Sequence, residues 1–253
     1  MRAITREISP NIKDCELTHF RREAIDLPLA YKQHRQYEDA LRELGCEVMA
    51  LAAEPDFPDS VFVEDTALVF DELAIITRPG AKSRRPETQS IAKAIEPFRK
   101  LQFIKSPATL DGGDVLTIDK QIFIGRSSRT DTLAIEQART ILAPFGYDVR
   151  SVEVKHCLHL KSAVSRLAKN TLLINASFVD RAAFAGFDFI EVDEREPFAA
   201  NALLIQDTVI YPADFPKTRM KIEAAGVQVE VVEMSELIKA EGAVTCCSLI
   251  FRR

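Results

Sequence analysis

Residues 67–77 read ALVFDELAIIT and residues 115–124 read VLTIDKQIFI. In each, two apolar runs flank a pair of polar residues, Asp71 and Glu72 in the first and Asp119 and Lys120 in the second. That is the pattern of two antiparallel strands joined by a tight two-residue turn. The runs are apolar at almost every position rather than at alternate ones, as in strands covered on both faces. After each pair comes a stretch with apolar residues at helical spacing: Ile91, Ala94, Ile95 and Phe98, then Ile135, Ala138, Ile141 and Leu142. Pro86 and Gly146 mark ends of these helices. A single strand then follows, over 101–104 and over 147–152. The unit is therefore hairpin, helix, strand.

Read outward, the same order recurs. Residues 164–168 pair with 171–175, a helix is expected over 178–186, and 189–192 closes the third unit. Residues 202–205 pair with 208–211, a helix over 216–225 stops at Gly226, and 227–232 closes the fourth with Val227, Val229 and Val231 in alternation. A fifth unit needs both ends of the chain: 247–251 beside 2–7, a helix over 28–44 bounded by Asp26 and Gly45, and the strand 46–51. Five ββαβ units closed in a ring make an α/β propeller with pseudo-fivefold symmetry and no isolated sheet edge. An open α/β sandwich with another strand order is the alternative.

Bulk properties narrow the function. With 253 residues, 47% of them hydrophobic and 28% charged, the chain can build a full core without disulfides or metal. No linker-like stretch divides it, so one domain over 1–253 is expected. A formal charge of −5 argues against nucleic acid as a partner, which calls for a basic patch or stripe, and suits a small cation better. Charged residues interrupt the N-terminal apolar stretch, unlike a secretory signal, and no run approaches the roughly 18 apolar residues of a membrane span. Five cysteines, Cys15, Cys46, Cys157, Cys246 and Cys247, are an odd number without C-x-x-C spacing, so free thiols in a reducing, cytoplasmic compartment are expected.

In this register the segment between each closing strand and the next hairpin falls at one end of the ring axis. These segments hold DSVFVED (59–65), LDGGD (110–114), HCLHLKS (156–162), Asn201 and GAVTCCS (242–248). Carboxylates, a histidine and a cysteine would converge there. Each also has a plainer reading. Cys246 could be a buried structural thiol, and since neighbouring strand residues face opposite sides, Cys247 belongs to the core. Asp111 before two glycines is a turn signal; Asp114 is read as a backbone hydrogen-bonding group. Arg84 and Arg85 before Pro86 fit a solvated loop. His156 and His159 could share a metal, but no further ligand cluster accompanies them.

Taken together, residues 59–66, 77–81 leading into 83–85, 110–116, Arg129 with Thr130, 158–162 and 245–248 resemble the dimethylarginine dimethylaminohydrolases of the guanidine-modifying (pentein) superfamily, over nearly the whole chain. The resemblance implies a five-bladed α/β propeller with the site on the central axis. It implies Cys246 as nucleophile, His159 as general acid/base and Asp111 as the carboxylate orienting it. Glu64 and Asp65 would meet the substrate guanidinium, Arg84 and Arg129 its α-carboxylate, and Asp59 its α-amino group. Phe20 falls in the family's lid, where leucine is common. The reaction implied is hydrolysis of mono- or asymmetric dimethylarginine to citrulline and methylamine or dimethylamine through a covalent cysteine adduct, with no metal or organic cofactor; a homodimer is compatible with it. Competing readings are a deiminase of arginine or agmatine, and a non-catalytic protein that binds an arginine analogue.

The chemistry of the residues agrees. A free thiol is only about 3% ionised at pH 7, and full ionisation costs about 2 kcal/mol. A guanidinium about 4 Å away contributes on the order of 4 kcal/mol at an effective dielectric near 20, enough to offset that cost.

Overall fold

The structure, a computed structural model, describes residues 1–252. In chain order the elements are β1 (Arg2–Arg6), α1 (Leu27–Glu43) and β2 (Glu47–Leu51); β3 (Ala67–Val69), β4 (Ala74–Ile76), α2 (Thr88–Ile95) and β5 (Leu101–Phe103); β6 (Val115–Ile118), β7 (Gln121–Arg126), α3 (Thr132–Leu142) and β8 (Asp148–Glu153). Then come β9 (Val164–Arg166), β10 (Thr171–Ile174) and β11 (Asp188–Glu191); β12 (Leu203–Ile205), β13 (Thr208–Pro212), α4 (Pro216–Ala224) and β14 (Gln228–Val232); and last α5 (Ser235–Ile238) and β15 (Leu249–Phe251). They form five three-stranded sheets, ordered β3-β4-β5, β6-β7-β8, β9-β10-β11, β12-β13-β14 and β15-β1-β2. The middle strand of each is antiparallel to its hairpin partner and parallel to the closing strand.

Local chemistry sets these elements. The first hairpin turns at Asp71 and Glu72, with Phe70 N donating to Leu73 O at 2.9 Å. Asp119, at φ +54°, takes the left-handed conformation that the second tight turn requires. Asp26 caps α1 by accepting from Leu29 N at 3.0 Å, with Pro28 in the first turn, and Asp131 caps α3 by accepting from Ala134 N at 2.8 Å.

The third unit departs from expectation. In place of a helix over 178–186 there is a single 3-10 turn, Arg181–Phe184. The Phe178 carbonyl is taken by Lys155 N of the preceding segment, and Asn175 Oδ1 holds Ser177 N and Oγ in a turn. Asp180 then caps only Ala182 N, and Gly186 at φ +98° ends the turn. The short helix α5 also lies outside the repeat expected from the sequence.

The packing makes the ring. The central strand of every sheet alternates between two cores. Ile75 of β4 joins Ile122 and Ile124 of β7, whereas Ala74 and Ile76 join Ile4 of β1. Phe123 of β7 packs with Leu172 and Ile174 of β10; Leu173 packs with Val209 and Tyr211 of β13; and Ile210 packs with Ala3 of β1. Strand periodicity of two thus serves both neighbours at once. The last core, with Ile4, Leu249 and Phe251 against β4, closes the circle between the sheet holding both chain ends and the next. Along the axis lies a cavity of about 350 Å³ lined by one strand from every sheet, through Val69, Thr117, Arg166, Leu204 and Ile250 among others. The pseudo-fivefold α/β propeller predicted from the hairpin order is the fold found. No described helix is long and apolar enough to cross a membrane.

Candidate active site

The five segments that link a closing strand to the next hairpin gather at one end of the axis. Three of them enter their hairpins through 3-10 turns, Val63–Thr66, Gly112–Asp114 and Leu160–Ser162, which pack against one another. This packing brings Asp65, Asp111 and His159 together. His159 Nε2 lies 3.2 Å from Asp111 Oδ2 and 4.0 Å from Asp65 Oδ1. Asp111 Oδ1 accepts from Gly80 N at 2.8 Å, and Asp65 Oδ1 from Gly113 N at 2.9 Å, so both carboxylates are aimed by backbone.

Gly113 is required for this approach. A Cβ there would come within 2.6 Å of His159 Nδ1 and 2.9 Å of Asp65 Oδ1. Asp114 bonds backbone as expected, accepting from Leu160 N, and also takes the hydroxyls of Ser127 and Thr130.

One cavity is lined by Cys246, His159, Asp111, Asp65, Asp59, Arg84 and Arg129, with Glu16 and Glu241 adding further carboxylates. Seven of the nine residues expected at the site are therefore in one place. The other two are not. Glu64 points away from this cavity into the axial one, where its oxygens take Lys161 Nζ and, at 2.7 Å, Thr245 Oγ1. Phe20 packs edge-on against Phe198, with ring centroids 5.0 Å apart, and lines a neighbouring apolar pocket with Phe215 and Ile238. The segment carrying Phe20 is tied down by Glu241, whose carboxylate accepts from the backbone N–H groups of Thr18, His19 and Phe20. Sequence reasoning places Lys161 and Thr245 in the axial segments but gives neither a role of its own, and it misses Glu241.

Arg84 differs from expectation in what it binds. It is buried, its Nη1 lies 2.5 Å from Asp65 Oδ2, its Nε and Nη2 fork onto Glu87, and Nη2 also donates to the carbonyls of Phe62 and Asp59. Its planar fork is therefore committed within the protein. Arg129 is half-buried at the wall and gives one bond to Thr18 Oγ1 at 3.0 Å. Asp59 accepts from Glu16 N at 3.1 Å.

The electrostatics divide the roles. Burial opposes charge on His159, but the carboxylates of Asp65, Asp114 and Asp111 outweigh it and raise its pKa to about 9. Burial also acts against ionised Asp65; His159 and Arg84 prevail and hold it below the usual carboxylate range. Burial, then the charges of Glu64 and Asp65, push the Cys246 thiol well up, so that it is neutral near pH 7. Burial raises Glu87 to about 7 despite Arg84, because one guanidinium serves two carboxylates.

Asp65, Asp111 and His159 offer donor atoms within 4.8 Å of one another, a spacing open to a cation. His156, the second histidine of the sequence pair, is exposed and stands outside that cluster. What the cavity presents is an acidic wall suited to a small cation, beside a thiol that burial and the neighbouring carboxylates hold neutral. Cys247, next in sequence, is fully buried in the core.

Comparison with known proteins agrees. The family described as eukaryotic N,N dimethylarginine dimethylhydrolase matches residues 17–249. The N(G),N(G)-dimethylarginine dimethylaminohydrolase of Pseudomonas aeruginosa is 39% identical over 228 residues, covering 89% of this chain and 90% of the relative. That of Streptomyces coelicolor is 38% identical over 252 residues, covering 99% and 97%. The solved structure of a cysteine-to-serine mutant of the Pseudomonas aeruginosa protein, complexed with citrulline, superposes with a TM-score of 0.95 at 37% identity, covering 99% and 98% of the two chains. The N-terminal domain of a cyanobacterial arginine dihydrolase, 19% identical with a TM-score of 0.86 and covering 98% and 96%, shares the fold. On these matches the chain belongs to the dimethylarginine dimethylaminohydrolase family.

Proposed function

We propose that the protein hydrolyses Nω-methylated arginine, mono- or asymmetric dimethyl, to citrulline and methylamine or dimethylamine. The observation that carries the reading is a single acidic cavity lined at once by Cys246, His159, Asp111 and Asp65. Relatives named for this reaction at 38–39% identity support it, as does the citrulline complex of the Pseudomonas aeruginosa protein.

In this reading Asp65 draws the substrate guanidinium to the inner end of the cavity, Asp59 faces the α-amino group, and Arg129 takes the α-carboxylate. Arg84, whose donors are committed to Asp65, Glu87 and two carbonyls, fixes Asp65 in place rather than forking onto the substrate. The bound cation offsets the burial of Cys246, its thiol gives a proton to solvent, and the thiolate attacks the guanidinium carbon. Protonated His159, oriented by Asp111, donates to the departing amine nitrogen. An S-alkylthiouronium remains. His159, now neutral, takes a proton from the attacking water; as the second tetrahedral adduct collapses, the C–S bond breaks, the remaining hydroxyl proton passes to the departing Cys246 sulfur, and citrulline is left beside a neutral thiol and a protonated His159. The step needs no metal or redox partner.

Phe20 and the segment held by Glu241 act as the cover over the mouth, and Glu64 acts on the thiol through charge rather than by touching substrate. Five free cysteines, four of them buried, suit a reducing, cytoplasmic setting, and five interlocked inter-sheet cores support one domain over the chain.

Incubation with arginine, agmatine, monomethylarginine and asymmetric dimethylarginine, with citrulline and amine measured separately, tests the assignment. Turnover of the methylated substrates with Cys246→Ser inactive is expected. Turnover of arginine alone, or citrulline release that survives Cys246→Ser, would overturn it.

A further inference from the structure

The fourth axial segment contributes Asn201, to which no part in the reaction has so far been given. It is buried, and all the hydrogen-bonding capacity of its amide nitrogen is spent on two other axial segments. Nδ2 donates to the Lys161 carbonyl at 3.1 Å and to Thr245 Oγ1 at 3.0 Å, while Oδ1 accepts from Thr245 N at 3.1 Å. Lys161 lies two residues after His159, and Thr245 immediately before Cys246. One planar amide therefore clamps the segment carrying the imidazole to the segment carrying the sulfur.

The clamp extends into a closed circuit. Thr245 Oγ1, having accepted from Asn201, donates to Glu64 Oε2 at 2.7 Å; Glu64 Oε1 takes the Lys161 ammonium; and the Lys161 carbonyl returns to Asn201. Glu64 N closes a second link by donating to the Cys246 carbonyl at 3.1 Å. Cys246 itself sits on a tight turn, its N–H bonded to Ala243 O at 3.1 Å, so the direction of its side chain follows the conformation of Thr245.

We infer that Asn201 is a positioning residue for the nucleophile: by holding Thr245 to Lys161 it fixes the Cys246 sulfur, half-buried at the cavity wall, relative to His159. This rests on the assignment of Cys246 and His159 as the reacting pair. Asparagine is called for chemically, because the position demands two donors on one atom and an acceptor on the other; aspartate would set an acceptor against the Lys161 carbonyl. Displacing an attacking atom by about 1 Å costs on the order of a hundredfold in rate, so a clamp of this kind acts on kcat rather than on substrate affinity.

The test uses full-length Asn201→Ala and Asn201→Asp, with Thr245→Val as an independent cut of the same circuit should either misfold. Expected for each folded variant is a fall in kcat of tenfold or more with KM for methylarginine changed less than threefold, the aspartate variant at least as impaired as the alanine one. Alkylation of Cys246 by iodoacetamide, which needs no turnover, should become faster at pH 8 in the same variants, with its apparent pKa moving down as the freed sulfur is no longer held beside the carboxylates of Glu64 and Asp65. Lost stability would expose the four buried cysteines too, so slower turnover with faster alkylation confined to Cys246, and Cys15, Cys46, Cys157 and Cys247 still protected, is a signature that lost stability alone does not give. Unchanged kcat and an unchanged alkylation profile in folded Asn201→Ala or Thr245→Val would overturn the inference. If the wild-type protein turned over none of the methylated substrates, the functional assignment would fail, and the alkylation profile would still decide the role of Asn201.

Discussion

Replacing Asp65 by asparagine should lower the pKa of His159 by about two units, to near neutrality. His159 stands at about 9 against an ordinary 6.5, a gain worth about 3 kcal/mol for the charged form. Asp65 Oδ1 is 4.0 Å from Nε2, where a unit charge contributes on the order of 4 kcal/mol at an effective dielectric near 20. That exceeds the whole net gain, because burial works against it. In Asp65→Asn the Asp111 carboxylate at 3.2 Å still holds the ring, so the fall stops near 7 rather than continuing to the low values of an unpaired buried imidazole. The assay is the pH titration of the His159 ring carbon signal by NMR, assigned by its loss in His159→Gln; the chain has only four histidines to resolve. The same change carries over to stability. A histidine raised on folding contributes stability that is fully present below about pH 6.5 and is lost as pH rises through about 9, so wild-type stability should decline over that interval and the Asp65→Asn decline should be much smaller. A His159 that still titrates near 9 in Asp65→Asn would show that Asp65 is not what holds its charge.

Three further outcomes follow from the same geometry. Alkylation of Cys246 should show an apparent pKa lower by a unit or more when a non-reacting guanidinium ligand fills the cavity, since a cation offsets burial; an unchanged value would refute substrate-assisted ionisation. Arg84→Met should cost about 3–5 kcal/mol by urea denaturation, because it strands two buried carboxylates, and the loss should be greater at pH 8 than at pH 5, where Glu87, at about 7, is protonated and needs no partner. Gly113→Ala should keep its thermal transition within a few degrees yet lose roughly a hundredfold in kcat/KM, as the new methyl pushes the imidazole aside; full activity would mean that the contact is easily relieved.

The hairpins are legible because two charged or polar residues between two apolar runs leave the chain few other choices, and the repeat of that sign at regular intervals carries the ring with it. The helix expected over 178–186 fails for a reason outside the segment: its apolar spacing is real, but the Phe178 carbonyl is claimed by Lys155, and no local pattern announces a tertiary bond of that kind. At the site, the register alone brings Asp111 and His159 together. The inward commitment of Arg84 is hinted at by Glu87 three residues on, the spacing of a helical ion pair, yet Asp65 as its second partner depends on the fold. Glu64 and Asp65 are adjacent in sequence and share one expected task; in space they face different cavities, because consecutive residues of the turn diverge.

Five inter-sheet cores arranged in a circle have a mechanical meaning. A linear stack of repeats can peel from an end, one interface at a time; here, releasing any one sheet means breaking two interfaces together, and none offers a free flank from which fraying could spread. Unfolding should therefore proceed in a single cooperative event, with hydrogen exchange in the central strands β1, β4, β7, β10 and β13 slowing to a common rate rather than grading from one sheet to the next.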